Sequence, residues 1–270
     1  MKRIYGHVVL AGAGSGDPEL ITLKALKVLQ KADVILTDRL VSPELIEKYA
    51  DEEAEVIYVG KQCSRGIYTS QKEINALMVE LAQMGKLVLR LKGGDASLFS
   101  NILDELETLK NYHISYEIIP GVSAALGAAA YTGIPLTARG HSRGVRFLTL
   151  YDLKSITNHQ WNDWATTDDT LVFYMSGQQT DTLAKNLVFR GIEESKSLAV
   201  IQQATTPYQK TQVFSFADID VSNLPEFEHV PTLIIVGKVV NLHHQYKWIE
   251  EQLEIESYFD NHKTLLQYAV

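Results

Sequence analysis

Val8-Val9-Leu10-Ala11-Gly12-Ala13-Gly14-Ser15-Gly16-Asp17-Pro18-Glu19-Leu20 is an apolar run that breaks into glycines and then meets an aspartate. Arg90-Leu91-Lys92-Gly93-Gly94-Asp95 follows the same order further along the chain. A buried parallel strand reads this way when it delivers backbone to a small ligand at its carboxyl end. Two such edges predict a single pocket lined by loops, and so an enzyme or a small-molecule binder.

Working outward from these stretches, the first half alternates strand and helix patterns. Strands are expected over residues 7–11, 34–37, 56–59, 87–91 and 116–119. Residues 18–31 carry Ile21, Ala25, Val28 and Leu29 at helical spacing, continued by Ala32, with Asp17 as N-cap and Pro18 at the first helical position. Ser70-Gln71-Lys72-Glu73 is a capping box, followed by Ile74, Leu77, Met78 and Leu81 on one face and closed by Gly85. The alternation predicts a parallel sheet covered by helices. The second half offers strands over 146–150, 170–175, 198–202, 211–216 and 232–236 with fewer helices between them, which predicts a mixed sheet. The expected organisation is an N-terminal α/β domain over 1–136, a linker over 137–145, a C-terminal α/β domain over 146–241 and a helical tail over 242–270. Trp248, Ile249 and Leu253 are the tail's expected apolar contacts.

Bulk properties narrow the function classes. The chain has 270 residues, 46% hydrophobic and 21% charged, an ordinary globular composition. No apolar run approaches the roughly 20 residues that span a bilayer, and the N-terminus lacks the pattern of a signal peptide. A cytoplasmic location and no membrane association are the expectations. Cys63 is the single cysteine, and the histidines lack metal-ligand spacing, so no metal is expected. A net charge of -8 argues against broad nucleic-acid binding.

Gly12-Ala13-Gly14 after a strand first suggests a dinucleotide turn, and Asp38 sits where a ribose-binding acid would. However, the third glycine of that fingerprint falls on Asp17. A carboxylate capping the amides that follow would compete with a diphosphate and repel it. A ligand with a nucleoside but no phosphate fits better, S-adenosylmethionine being the commonest.

The same stretches carry a family resemblance. Residues 8–26, Asp38-Arg39-Leu40-Val41-Ser42, Val59-Gly60-Lys61 and Arg90 to Asp95 resemble the tetrapyrrole methylase family, as do Ile119-Pro120-Gly121-Val122-Ser123-Ala124 and Gly133-Ile134-Pro135-Leu136-Thr137. Within it, the D-R-L-V-S, V-G-K and R-L-K-G-G-D set is similar to the branch that methylates uroporphyrinogen III. The resemblance implies two α/β domains with the active site in the cleft between them, and a homodimer. It implies transfer of two methyl groups from S-adenosylmethionine to C2 and C7 of uroporphyrinogen III, leaving S-adenosylhomocysteine and giving precorrin-2. Cofactor contacts are implied at Ser15, Gly93, Gly94, Asp95, Leu98, Ser123, Ala124, Met175 and Ala204. Asp38 matches the family's proton acceptor, Lys61 its proton donor, and Asp104 stands in place of a glutamate that is another candidate base. The acceptor carries eight carboxylates, so local cations must hold it against an acidic protein. Arg139 matches a substrate-binding arginine, and Arg39, Arg143 and Arg146 with Lys61 complete the expected basic surface.

The chain departs from the family after Asp95. Ala96-Ser97-Leu98-Phe99-Ser100-Asn101-Ile102-Leu103-Asp104-Glu105 replaces P-F-x-F-G-R-G-G-E-E, so an arginine becomes Asn101 and three glycines are gone. Ser15 stands for a proline, Leu150-Tyr151 for a glycine-histidine pair and Ala204 for a glycine. Three other readings therefore stand beside the first. They are a methylase of another tetrapyrrole or precorrin, a cofactor-binding homologue with impaired catalysis, and a nicotinamide-dependent oxidoreductase.

Overall fold

Alternating apolar strands and one-sided helices assemble into two α/β units. The computed structural model describes residues 6–62, 67–176, 179–225, 227, 230–251 and 257–260. One unit ends at Ala124 and is rejoined at Tyr258, and the other runs from Ala125 to Ser257. This division falls ahead of the 137–145 stretch, whose Ala138–Ser142 bridge lies inside the second unit.

The first unit contains β1 (His7–Gly12), α1 (Leu23–Leu29), β2 (Val34–Thr37), α2 (Pro43–Tyr49) and β3 (Glu55–Tyr58). A small antiparallel pair, β4 (Lys61–Gln62) and β5 (Ile67–Tyr68), precedes α3 (Gln71–Gln83), β6 (Leu87–Lys92), α4 (Ile102–Asn111) and β7 (Ser115–Ile119). The main sheet has the order β3-β2-β6-β1-β7, with all pairings parallel. Strand alternation sorts the core into two layers. Val8, Leu10, Leu36 and Val88 meet Ile74, Met78 and Leu109 on one face, while Val9, Ile35, Leu89 and Leu91 meet Ala25, Leu29 and Leu45 on the other. Each such fully buried Leu or Ile contributes about 1.5–3 kcal/mol, so this double cover is what holds the all-parallel sheet.

The second unit begins with α5 (Ala124–Thr132), followed by β8 (Val145–Thr149), α6 (Asn158–Thr166), β9 (Thr170–Tyr174) and α7 (Thr180–Phe189). It continues through β10 (Ser197–Gln202), β11 (Lys210–Ser215), β12 (Thr232–Gly237) and the short α8 (His243–Tyr246). Its sheet runs β11-β10-β12-β9-β8, with β8 and β9 parallel and the other pairs antiparallel, so it is mixed as expected. Trp164 anchors its core, edge-on to Trp161 at 5.1 Å and to Phe173 at 5.2 Å between ring centroids.

The strands expected from the apolar runs are all present, with ends displaced by no more than one residue. The capping box of α3 is formed, and Gly85 follows with φ +85.

Two expectations are corrected. The helix anticipated over 18–31 is split: Asp17 caps a 3-10 turn at Pro18–Leu20, and α1 starts afresh with Thr22 as its N-cap. Ile21 between them is extended, at φ -66 and ψ 143. The tail is not a long helix, because α8 ends where Lys247 turns to φ -60 and ψ 136. Its neighbours satisfy it in extended form: Trp248 Nε1 donates to the Ala130 carbonyl at 2.8 Å, and the ring lies 5.7 Å from Tyr131. Glu251 accepts the Thr211 amide at 2.9 Å, and Leu253 lies outside the described residues. No helix among the described residues is long and apolar enough to cross a membrane.

Candidate functional site

β1 and β6 are adjacent at the middle of the first sheet, but the chain leaves β1 to build β2 and β3 on one side before it returns through β6 and crosses to β7. Loops therefore diverge at the carboxyl ends of the central strands, where open α/β sheets bind ligands.

Three of those loops meet backbone to backbone. The Gly14 amide donates to the Gly94 carbonyl at 3.2 Å, and the Gly94 amide donates back to Gly14 at 2.7 Å. A Cβ on Gly12 would lie 2.5 Å from the Gly94 oxygen and 2.7 Å from Gly121. A Cβ on Gly121 would run into the same Gly94 oxygen and lie 2.8 Å from Gly12. Gly93 presses on Leu40, where a Cβ would sit 2.7 Å from that residue's Cβ and carbonyl oxygen. Gly94 differs. At φ +71 a Cβ there would meet only ordinary van der Waals neighbours, the Ala124 nitrogen at 3.7 Å and the Ser123 Cα at 3.9 Å. Gly94, Ser123 and Ala124, three of the residues expected at the cofactor, therefore stand side by side at this edge.

Asp95 ties two of these loops together. Its Oδ1 accepts from the Ser97 amide at 2.8 Å and hydroxyl at 2.6 Å, and its Oδ2 from the Gly121 amide at 2.9 Å. Burial alone would raise its pKa. The hydrogen bonds from the Ser97 hydroxyl and the Gly121, Ser97 and Leu98 amides outweigh burial and bring it below 3.8. A carboxylate with a lowered folded-state pKa contributes stability above its unfolded value and loses it as pH falls through the folded one. Thermal melts should therefore show Asp95→Asn less stable than wild type at neutral pH. The difference should shrink below the 3.8 reference value. A gap that stays constant with pH would contradict this role. Asp17 is also committed, its Oδ1 accepting the Glu19 amide at 2.8 Å. Ser15 is buried beside it, and Leu98 is half-buried.

A second cluster lies on the α3/α4 side of the same edge. Asp38, one residue past β2, accepts the Leu40 amide at 3.1 Å and faces Arg90 Nη2 at 3.7 Å. Behind it, Arg90 Nε donates to Glu105 Oε1 at 3.0 Å and Lys92 Nζ to Glu105 Oε2 at 2.7 Å. Arg90, Lys92 and Glu105 are all buried. Burial pushes the Lys92 amine down, Glu105 draws it back up, and Arg90 pushes it down again. Gly60 packs against the Asp38–Arg39 backbone and so brings the chain leading into Lys61 to this corner. The Lys61 side chain lies outside the described residues, and so does Cys63. Asp104, the expected second base, is exposed, and Asn101 Nδ2 binds its Oδ2 at 2.8 Å. The acid buried among the cations is instead its neighbour Glu105. Helical phase was the available signal: Glu105 lies three residues after Ile102 and four before Leu109, on the apolar face of α4.

In the second unit, β8, β9 and β10 point the same way, so their carboxyl ends share one edge. Met175 follows β9 and Ala204 follows β10 there. Met175, Gln203 and Thr205 have φ of 54°, 48° and 65°, a left-handed backbone that non-glycine residues adopt at a cost. Arg139 and Arg143 are exposed. Arg146, expected on the basic surface, is ion-paired to Asp163 and to Asp169, at 2.5 and 2.7 Å, and bonded to Thr167 at 2.8 Å. These acids lie 17 and 23 residues away in sequence, beyond the reach of any local pattern. Among the described residues no group of three or more His, Cys, Asp or Glu is placed to hold a metal ion.

A family model of tetrapyrrole (corrin/porphyrin) methylases matches residues 7–220. Siroheme synthase of Pseudomonas putida (strain W619) is 43% identical over 245 residues, 91% of this chain and 52% of the relative. The chain thus spans about half the length of the curated relatives it matches. Among solved structures, a uroporphyrin-III C-methyltransferase from Thermus thermophilus superposes with a TM-score of 0.72 at 33% identity, covering 91% of this chain and 98% of that one. The same enzyme complexed with S-adenyl homocysteine aligns at 31% identity and a TM-score of 0.72, over 88% of this chain and 100% of that one. A cobalt precorrin-4 methyltransferase reaches a TM-score of 0.75 at 28% identity, over 87% and 95% of the two chains. Strand order, glycine-walled loops and these matches agree, and the chain belongs to the tetrapyrrole methylase family.

Proposed function

We propose that this protein transfers methyl groups from S-adenosylmethionine to C2 and C7 of uroporphyrinogen III, giving precorrin-2. The observation that carries the reading is the meeting of Gly94 with Ser123 and Ala124 at the carboxyl edge of the first sheet, together with an Asp17 carboxylate that takes the Glu19 amide. Such a site suits a nucleoside without phosphates, and the solved relative bound to S-adenyl homocysteine supports it. Gly93, Gly94, Leu98, Ser123, Ala124 and Ser15 would line the cofactor, with Asp95 fixing the loop that carries them. The resemblance adds Met175 and Ala204. When bound, S-adenosylmethionine supplies a methyl group already activated by its sulfonium.

The chain's own residues align the acceptor and move protons. Asp38 accepts the proton lost from the alkylated ring, Arg90 stands behind it as a counter-charge, and Lys61 is the proposed donor. Arg39, Arg139 and Arg143 hold carboxylates of the acceptor. Asp104 and Arg146 have no part in this reading, since both are engaged within the fold. Arg139→Ala and Arg143→Ala should each raise KM for the acceptor. Arg146→Ala should leave it unchanged and cost about 1 kcal/mol of stability, read from urea unfolding. A raised KM in Arg146→Ala would return that residue to the binding surface. A homodimeric assembly and a cytoplasmic setting belong to the same proposal, and sedimentation would test the first.

Anaerobic incubation with uroporphyrinogen III and labelled S-adenosylmethionine should place two methyl groups on each acceptor. One observation favours a second reading, a methylase of another tetrapyrrole or a precorrin. Residues 96–109 carry no lysine or arginine, and Phe99 and Leu103 are exposed there, a poor match for a ring bearing eight carboxylates. Turnover of a precorrin with none of uroporphyrinogen III would select it.

A further inference from the structure

Resting on that reading, we propose that Glu105 is a positioning residue that aims Asp38 through Arg90. Glu105 has no exposed surface, and each of its oxygens is used, Oε1 by Arg90 Nε and Oε2 by Lys92 Nζ. The Arg90 guanidinium is a rigid planar fork, so holding its Nε edge fixes the direction of its other nitrogens. Nη1 reaches the carbonyls of Leu36 at 3.3 Å and Leu91 at 3.1 Å, and Nη2 faces Asp38 Oδ2 at 3.7 Å. The Leu36 carbonyl lies in β2, two residues before Asp38. One guanidinium therefore holds both the strand that carries the carboxylate and the carboxylate itself.

The charges form a closed account only when Asp38 is included. Arg90 and Lys92 bring two cations, and Glu105 alone supplies one anion. Well-packed apolar residues commonly serve a fold as well as a buried ion cluster does. This cluster sits at the carboxyl ends of β2 and β6, beside the glycine loops, where orientation of a base has a use.

Glu105→Gln alone places an amide against Lys92 and is open to misfolding. The decisive pair therefore removes one charge of each sign. Glu105→Met/Lys92→Met takes the acceptor from Arg90 Nε while keeping the core filled. Glu105→Gln/Lys92→Met keeps that acceptor and has the same net charge. The first should bind S-adenosylhomocysteine as wild type does and keep its KM for the acceptor, with kcat down about a hundredfold, the usual penalty for a misaimed catalytic group. The second should recover most of kcat. Arg90→Lys keeps the charge without the fork and should lose kcat to the same extent. A folded Glu105→Met/Lys92→Met with unchanged kcat, or a Gln variant no better than the Met variant, would overturn the inference. So would an active Arg90→Lys.

A second arm needs no turnover. In protein labelled with 15N-arginine, Asp38→Asn should shift the Arg90 Nε–H resonance in the wild-type background and leave it unmoved in Glu105→Met/Lys92→Met. A wild-type resonance indifferent to Asp38→Asn overturns the coupling. Absence of methyl transfer by the unsubstituted chain defeats the functional reading alone.

Discussion

Gly121→Ala should unfold the ligand edge of the first unit, costing about 3 kcal/mol or more and abolishing S-adenosylhomocysteine binding. The new methyl group would land 2.8 Å from the Gly12 Cα and carbonyl carbon, and closer still to the Gly94 oxygen. All of these are backbone atoms, and none can rotate aside. Relief requires the ends of β1, β6 and β7 to separate, which breaks the paired Gly14 and Gly94 amides and draws Asp95 away from the Gly121 amide. Gly94→Ala is the control, because a Cβ there meets nothing nearer than the Ala124 nitrogen at 3.7 Å and only the left-handed backbone is penalised, at about 1–2 kcal/mol. It should fold, and it should weaken S-adenosylhomocysteine binding by placing a methyl group beside Ser123 and Ala124. Urea unfolding with calorimetric titration reads both effects. If Gly94→Ala proved the more destabilising of the two, the three-loop packing would be wrongly described.

Glu105→Ala should be the costliest single change among the charged residues, at about 3–5 kcal/mol, because it strands Arg90 and Lys92 without their buried counter-charge. The deficit should depend on pH in a definite direction. Burial already holds the Lys92 amine below 10.5, and loss of Glu105 removes the group that raises it. With its folded-state value lowered, Lys92 sheds its proton in the folded protein before the unfolded chain does. Stability then rises with pH across the interval that ends near 10.5. The gap between Glu105→Ala and wild type should accordingly narrow from pH 7 towards pH 10 in urea unfolding. A gap that widens would mean that Lys92 is not the stranded charge.

The sheets were legible because strands such as β1, β6, β10 and β12 are apolar runs bounded by glycine or a turn, and little but a buried strand has that form. The α3 capping box was legible because both partners lie within four residues. What escaped depended on partners distant in sequence. Nothing near Arg146 predicts Asp163 and Asp169. The tail's apolar residues resemble a helix face until Ala130 and Tyr131 are seen to receive Trp248. Asp104 stands at the motif position, whereas the apolar phase of α4 picks out Glu105. At the ligand edge, the glycines are readable as close approaches, whereas only the fold separates Gly12 and Gly121, which touch each other, from Gly94, which stands against Ser123 and Ala124.

Strand order also sets a timetable for the nascent chain. β1 is made well before its two neighbours in the sheet, which arrive only with residues 87–92 and 115–119. Parallel pairing across such separations is slow to nucleate and leaves apolar edges uncovered meanwhile. The last described segment belongs to the same early unit, where the Tyr258 hydroxyl meets Ser42 at 2.7 Å and Phe259 is buried. The unit that holds the earlier strands therefore also waits for the last described segment, and it is the unit in which chaperone dependence should be found.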